Sequence, residues 1–286
     1  MSQVAIVTDS ASDYDPARAE QLGIAIVPLI VSFGAESFEA GRNLSAEQFW
    51  QRLTAPGAPF PTTAACSPGA FQTTYQRLFD EGADAIVSIH VAGTLSGTIK
   101  SAQIARASMR DREIHVVDSG SASMAEGILA ELAVRRASEG ASAAAIVAEL
   151  ETRRDDIAIY LALDTLEYLK RGGRISGAQA AIGTLLSVKP IISVPKGVVE
   201  TVDRVRTRGK ARERLIELLC SRPIERLALL HTTDAGIEAF ADEIVARVPG
   251  GIDRSNVSIS LVGPSVGPHL GTGCVGGVAL YRASAA

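Results

Sequence analysis

Aromatic residues are scarce in this chain: Phe, Trp and Tyr make up 5% of its 286 residues, with a single Trp. The core must therefore come from Ala, Val, Leu and Ile, which suits helices packed on a parallel sheet of aliphatic strands. Cysteine is scarce as well. Cys66, Cys220 and Cys274 are odd in number and widely spaced, so they make neither a disulfide framework nor a metal-ligand pattern. They read as small buried hydrophobes in a reducing cytoplasm. The histidines, His90, His115, His231 and His269, show no metal spacing, and no cofactor or metal is expected. Long apolar runs are missing too. The longest, Ile24–Phe33, is about half of what spans a bilayer, and the opening MSQVAIVTDS has no basic n-region or apolar h-region, so neither a signal peptide nor stable membrane insertion is expected. A net charge of −4 offers no global attraction for nucleic acid, and no helix reads as a DNA-recognition helix. What is there is ordinary globular material, 47% hydrophobic and 21% charged, long enough for two lobes.

Read along its length, the chain alternates strand, loop and helix. Val4–Val7 is an apolar run ending in the polar turn Thr8-Asp9-Ser10; Asp15-Pro16 reads as an N-cap with proline at the first helical position, and Gly23 stops that helix. Ile24–Phe33 reads as a strand, and Ser45-Ala46-Glu47-Gln48 as a capping box. A Pro- and Thr-rich loop, Ala55–Cys66, leads to a helix capped by Ser67-Pro68. Ala85–Val91 is a strand, Gly93–Thr98 a loop, and a helix runs on to about Arg110. Glu113–Val117 and two helices, Ser123–Glu139 and Ser142–Arg154, complete an α/β/α lobe with a doubly wound parallel sheet over residues 1–155. Beyond it, Ile191–Val194 and Val198–Val202 flank Lys196-Gly197 as a hairpin, which a purely parallel sheet has no use for. Residues 156–286 are therefore expected to form a second α/β lobe with a mixed sheet.

Four segments could carry chemistry. Gly93-Thr94-Leu95-Ser96-Gly97-Thr98 follows a strand and opens a helix, so backbone N–H groups, the helix dipole and the Ser96 and Thr98 hydroxyls suit an anion. Its two glycines would let a ligand approach the backbone; the plain alternative is an N-cap by Ser96. The loop Pro61–Pro68 is small and hydroxylated, as a ligand-facing loop can be, or it is a connector capped by Ser67. In Gly263–Gly273, Gly271-Thr272-Gly273-Cys274-Val275-Gly276 spells G-x-G-x-x-G, but it leads into a strand and too little chain follows for a dinucleotide site. His269, set among glycines and prolines with little packing to serve, is the more interesting residue there. Finally, Lys170 to Arg214 holds eleven Lys/Arg against three acids, pointing to a phosphate-bearing partner or an acidic protein surface if it is not a solvated face. Neither a G-x-x-x-x-G-K-[ST] loop nor H-E-x-x-H is present, and no G-x-S-x-G nucleophile elbow is expected.

Taken in order, VTDSASD, PTTAACSPGAF, LSGTIKSA, VVDSGSASM, DTLEYLKRGGRIS, VKPII, VRTR and GPSVGPHLGTG resemble the DegV family, the fatty-acid-binding subunits of bacterial fatty acid kinases. The chain departs from the family where Thr-Ser-Gln-Pro-Ser becomes Thr63-Ala64-Ala65-Cys66-Ser67, and where a glycine after Ser-Met becomes Ala125. The resemblance implies a long-chain fatty acid held between the lobes, with Thr63, Ser96 and His269 on its carboxylate and Gly97 and Thr98 supporting the loop. Arg174 and Arg206 would face the kinase subunit or the acyl-phosphate. A buried carboxylate needs its lost hydration replaced, while a 16-carbon tail supplies roughly 12 kcal/mol of gross transfer energy at ~0.8 kcal/mol per CH₂. The chain is then a lipid carrier with no catalytic residue of its own, its oligomeric state open and a monomer sufficient. Two rivals remain: an esterase or acyl transferase with Ser96 as nucleophile and His269 as base, and a phosphosugar-binding protein using the Ser96 loop.

Overall fold

Aliphatic runs and helix caps in the sequence become strands and helices with few exceptions. The computed structural model describes residues 3–178, 188–232 and 236–283. It divides into two units, Met1–Asp155 with Gly263–Ser265, and Asp156–Val262 with Val266–Ala286.

In the first unit β1 (Val4–Asp9) leads to α1 (Pro16–Leu22), capped by Asp15 and closed by Gly23 in the left-handed region, and then to β2 (Ile24–Val27). The expected single strand over Ile24–Phe33 is two. Pro28 lacks an N–H for the ladder, and after it β3 (Ile30–Phe33) turns away to pair with β4 (Glu36–Glu39). α2 (Ala46–Thr54) has the Ser45/Gln48 capping box. The segment read as an unstructured loop contains a short strand, β5 (Thr62–Ala64), antiparallel to β3. α3 (Pro68–Asp80), capped by Ser67, precedes β6 (Ala85–His90), α4 (Thr98–Ser108) and β7 (Glu113–Asp118); α5 (Met124–Ser138) and α6 (Ala143–Arg153) follow.

The main sheet is parallel, in the order β2-β1-β6-β7. Every residue of β6 is buried, as a strand covered on both faces must be. From β1 the chain winds first to β2 on one side and later to β6 on the other, so the winding reverses between β1 and β6. The carboxyl ends of those two strands are where a doubly wound sheet leaves a crevice for ligand. Asp9 ends β1, and the Ser96 loop follows β6.

In the second unit β8 (Ile157–Ala162), α7 (Glu167–Arg171), β9 (Lys189–Ser193), β10 (Glu200–Val205), α8 (Arg208–Leu219), β11 (Ile224–His231), α9 (Ile237–Val245), β12 (Val257–Leu261), α10 (Gly267–Leu270) and β13 (Val275–Tyr281) follow in order. The six-stranded sheet runs β10-β9-β8-β13-β11-β12, with only β11 and β12 parallel. The expected hairpin is β9–β10, turning at Lys196 and Gly197, both at positive φ. An α/β fold with one parallel and one mixed sheet is thus what the alternation of strand and helix predicted. The core of this unit is aliphatic around Phe240, with Leu215, Leu219, Leu229 and Ile244 fully buried. Among the described residues no helix is long and apolar enough to cross a membrane.

Candidate functional site

The loop between β6 and α4 is built by its own hydrogen bonds. Leu95 and Ser96 donate their N–H groups to the Ala92 carbonyl, and Gly93 N–H donates to Asp118 Oδ2 at 3.1 Å. A Cβ on Gly93 would lie 3.1 Å from Ile99 Cγ2 and 3.2 Å from that carboxylate oxygen. Gly93 thus packs tightly against β7's terminal Asp118, a reason for glycine here besides any approach of a ligand to the backbone. Gly97, not Ser96, is the N-cap of α4, and it makes no side-chain cap bond. Ser96 Oγ instead accepts from Thr98 N–H at 3.2 Å and shares a 2.9 Å hydrogen bond with Thr98 Oγ1. Ser96 is half-buried and Gly97 exposed, and the first turn of α4 contains no acid to neutralise its dipole.

The Thr63 loop meets this one inside the same unit. Thr63 pairs with Val31 in the β3–β5 ladder and is half-buried. A Cβ on Gly97 would sit 3.7 Å from Ala65 Cβ, so the two loops are neighbours there. Beneath them the Thr98 hydroxyl reaches the Cys66 thiol, whose Sγ–H donates to the Val27 carbonyl at 3.4 Å. Burial drives the Cys66 thiol far above its ordinary range. This cysteine is a buried donor stitching the loops to β2, where the sequence suggested only a small hydrophobe. Thr98 is turned inward to that task, which leaves Ser96 as the hydroxyl nearer the surface.

In the second unit, His269 is on α10, a short helix in what the sequence presented as a glycine-rich loop. It is half-buried and well packed, contrary to expectation. A Cβ on Gly172 would fall 2.1 Å from His269 Nδ1, and a Cβ on Gly271 would fall 2.1 Å from Tyr168 Cδ2. The DTLEYLKRGG and GPHLGTG motifs thus interlock, each supplying a glycine for the other's ring. Burial, and after it the Arg174 guanidinium, hold the His269 imidazole down to about 4. Arg174 Nη1 donates to the Gly172 carbonyl at 2.6 Å, so Arg174, Gly172 and His269 form one local group. Arg206 stands apart, exposed just beyond β10. Much of the basic tract is matched locally. Lys189 and Arg208 converge on Asp164 at 2.7 and 3.0 Å, and Arg214 bridges Asp203 and Glu217 at 2.7 and 2.6 Å. Burial raises the Asp164 carboxyl, but its two cationic partners outweigh this and hold it below its ordinary value. The G-x-G-x-x-G segment runs into β13, a strand, as expected for a non-nucleotide site.

A family model described as "Uncharacterised protein, DegV family" matches residues 3–282. The chain belongs to the DegV family. A DegV domain-containing protein of Streptomyces coelicolor is 39% identical over 98% of this chain and 99% of its own length. Among solved structures, a DegV family protein from Thermus thermophilus described as binding fatty acid is 34% identical, with a TM-score of 0.89 over 98% of this chain and all (100%) of that one. DegV of Bacillus subtilis, described as a fatty acid binding protein, is 33% identical with a TM-score of 0.84, covering 98% of this chain and 99% of its own.

This DegV chain also holds a polar cluster that sequence spacing could not reveal. Asp9, His90 and Glu126, all fully buried, bring one oxygen or nitrogen each within 4.8 Å of one another by the carboxyl ends of β1 and β6. Their spacing in sequence, 81 and 36 residues, matches no ligand pattern; only the parallel pairing of β1 with β6, and α5 packed against β1, join them. The set has a metal-ligand composition, but most of its polar atoms are already hydrogen-bonded within the protein. His90 Nδ1 is 3.0 Å from Asp9 Oδ2, His90 Nε2 is 2.7 Å from Ser88 Oγ, and Tyr75 OH donates to Ser88 Oγ at 2.7 Å. Asp9 Oδ2 also accepts from Val91 N–H at 3.2 Å, tying this relay to the strand end that feeds the Ser96 loop. Glu126 Oε1 accepts from Thr8 Oγ1 at 2.7 Å, while Oε2 has no partner among the described residues.

Burial, and next the Asp9 carboxylate beside it, push the Glu126 carboxyl well above its ordinary range. The folded chain therefore keeps this proton at pH values where the unfolded chain has lost it. Its contribution to stability is fully present below the unfolded pKa of about 4.3 and is lost as pH rises toward the folded value. Glu126→Gln, neutral at every pH, is expected to unfold at higher denaturant concentration than the wild type above pH 6, with the gap widening as pH rises. Denaturant melts at pH 5 and pH 8 check this; a gap that narrows with pH would contradict a neutral Glu126.

Proposed function

We propose that this chain binds a long-chain fatty acid in the cytoplasm, buries its alkyl tail and presents the carboxylate to a separate ATP-dependent kinase for conversion to acyl-phosphate. It is a lipid-binding partner of that kinase rather than an enzyme. The observation that carries the reading is the meeting of the Thr63 and Ser96 loops at the reversal point of the parallel sheet. That meeting occurs in a chain that aligns along nearly its whole length with DegV structures described as fatty acid binding. Thr63 and Ser96 from the first unit, and His269 from the second, are the proposed carboxylate ligands, with Gly97 and Thr98 holding the loop. Arg174 and Arg206 are proposed to face the kinase subunit or the acyl-phosphate.

The chemistry of these residues supports binding rather than turnover. Ser96 Oγ is engaged with Thr98, and Ser88, which bonds the His90 imidazole, is fully buried. Hydroxyls, a helix N-terminus and an imidazole can replace the water lost by a carboxylate. Phosphoryl transfer needs ATP and metal chemistry that the kinase supplies, so positioning and charge neutralisation are this chain's share. The delipidated chain is expected to bind a long-chain fatty acid in a direct titration and to show no thermal shift with sugar phosphates. Labelling of Ser96 by a fluorophosphonate probe, together with ester hydrolysis, would instead favour the esterase reading.

The depressed His269 adds a signature. A carboxylate bound beside an imidazole favours its protonated form, so ligand should raise the His269 titration midpoint from about 4. NMR titration of the ring protons with and without fatty acid reads this directly, and an unmoved or lowered midpoint would argue against a carboxylate at His269.

A further inference from the structure

The VTDSASD motif is not consumed by the proposed ligand set, yet its turn is densely hydrogen-bonded. After β1 the chain makes a 3-10 turn, Ser10–Ser12, in which Asp9 Oδ1 accepts from Ala11 N–H at 2.9 Å and Ser12 Oγ donates to the Asp9 carbonyl at 2.7 Å. It ends at Asp13, a non-glycine residue in the left-handed region at φ 53°. Asp13 Oδ2 accepts from Ser123 Oγ at 2.5 Å, and Ser123 is itself strained, at φ 59° and ψ −149°, a region that is almost glycine's alone. Two of the three non-glycine residues at positive φ in the described chain are therefore bonded to each other.

The other oxygen of Asp13 reaches far along the sequence. Asp13 Oδ1 accepts from Gly263 N–H at 2.9 Å, and Ser10 Oγ lies 2.8 Å from Ser265 Oγ while also accepting from Leu29 N–H. Gly263–Ser265 is the one stretch after Asp155 that belongs to the first unit; at Val266 the chain returns to the second, and His269 follows on α10. A Cβ on Gly263 would come within 3.1 Å of Asp13 Oδ1, so the carboxyl and this backbone meet with no side chain between them. Ser265 stands in Gly263-Pro264-Ser265-Val266-Gly267, a G-x-S-x-G pattern between strand and helix, which corrects the expectation that the chain holds none. It is only 3% exposed and bonded to Ser10, so it acts as an anchor and offers no nucleophile.

We propose that Asp13 is a positioning residue: its carboxyl, aided by Ser10, fixes Gly263–Ser265 and so sets the start of the helix that carries His269. This rests on the reading of His269 as a carboxylate ligand. The positive-φ backbone at Asp13 and Ser123 brings the Ser123 hydroxyl onto one oxygen of the Asp13 carboxyl, whose other oxygen holds Gly263 N–H. Burial also pushes the Asp13 carboxyl up to about 7, with Asp9 adding to the effect, so this hold is kept despite its electrostatic cost.

The test uses Asp13→Gly, since glycine accepts the left-handed backbone and only the carboxyl is lost. Asp13→Asn is the conservative rescue, because asparagine tolerates that region and keeps an oxygen for Gly263 N–H. Titrations with a long-chain fatty acid and its matching alcohol give the acid-to-alcohol affinity ratio. Asp13→Gly is expected to lower that ratio about tenfold, equivalent to one hydrogen bond to a charged group. Asp13→Asn should keep the ratio within about twofold of the wild type. In a His269→Ala background, Asp13→Gly should change the ratio no further, the coupling expected of residues acting through one another. Should Asp13→Gly fail to fold, Ser265→Ala removes the second tie and is expected to show the same dependence on His269. A normal ratio in Asp13→Gly, or a full effect that persists without His269, overturns the proposal. If His269→Ala itself leaves the ratio unchanged, the ligand reading falls first and this inference with it.

Discussion

Ser96→Ala is expected to bind a long-chain fatty acid about ten- to a hundredfold more weakly than the wild type, the usual loss for one hydrogen bond to a charged group. The matching alcohol should bind within about twofold of its wild-type affinity, because the alkyl tail dominates its transfer energy. Stability should change little. Ser96 is half-buried, and water can take over the Thr98 N–H that its hydroxyl caps. His269→Ala is expected to act in the same direction, because in the proposed site it removes an imidazole that donates to the carboxylate. Parallel titrations of acid and alcohol separate head-group from tail effects. Equal losses for both ligands would remove the carboxylate role from either residue.

Gly172→Ala is expected to be costly even though it adds one methyl group. Gly172 closes α7 at φ −77°, an angle that alanine adopts freely, so no backbone penalty arises. The obstacle is the His269 ring: the new Cβ would lie 2.1 Å from Nδ1 and 2.8 Å from Cε1, well inside contact distance. The ring must swing out of its place, at an overpacking cost of about 1–3 kcal/mol. Its acid-to-alcohol ratio should fall to that of His269→Ala, although residue 172 touches no ligand in the proposed site. The double variant Gly172→Ala/His269→Ala should recover most of the lost stability, because the ring that clashes is gone. Denaturant melts and acid titrations of the four proteins check both points. A Gly172→Ala protein with wild-type affinity would mean that the packed His269 orientation does not matter.

The legible parts of this fold were those written in local chemistry. Asp15-Pro16, the Ser45/Gln48 box and Ser67-Pro68 open helices where they stand, and the Lys196-Gly197 turn sits within a hairpin. Pro28 was the local signal that divides Ile24–Phe33, but the run of aliphatic residues around it masked the break. β5 is three residues long and exists because β3 offers it a partner, so no periodicity could mark it. The Ser96 loop was legible as a loop between strand and helix. The reason for Gly93 was not, because it depends on Asp118 at the end of a neighbouring strand.

The same holds for the polar residues. Asp9, His90 and Glu126 are separated widely in sequence and joined only by sheet pairing and a helix packed over it. Asp13 and Gly263 are 250 residues apart and meet through a single backbone N–H. His269 looked under-packed because its neighbours in sequence are small; its packing partner, Gly172, is almost a hundred residues away. Motif order pointed to the DegV family without any of these contacts. What the structure adds is the work each motif does: VTDSASD ties down Gly263–Ser265, and DTLEYLKRGG makes room for His269.

The central claim, that this chain carries a long-chain fatty acid by its carboxylate, is tested most directly by identifying what the natively purified protein holds. The protein is purified without detergent, and denaturing extraction followed by mass spectrometry measures the released lipid. The account predicts free fatty acid in near-stoichiometric amount in the wild type, and a marked loss of it in the Ser96→Ala/His269→Ala double variant. Wild-type protein that releases no fatty acid, and after delipidation binds none in a direct titration, would contradict it.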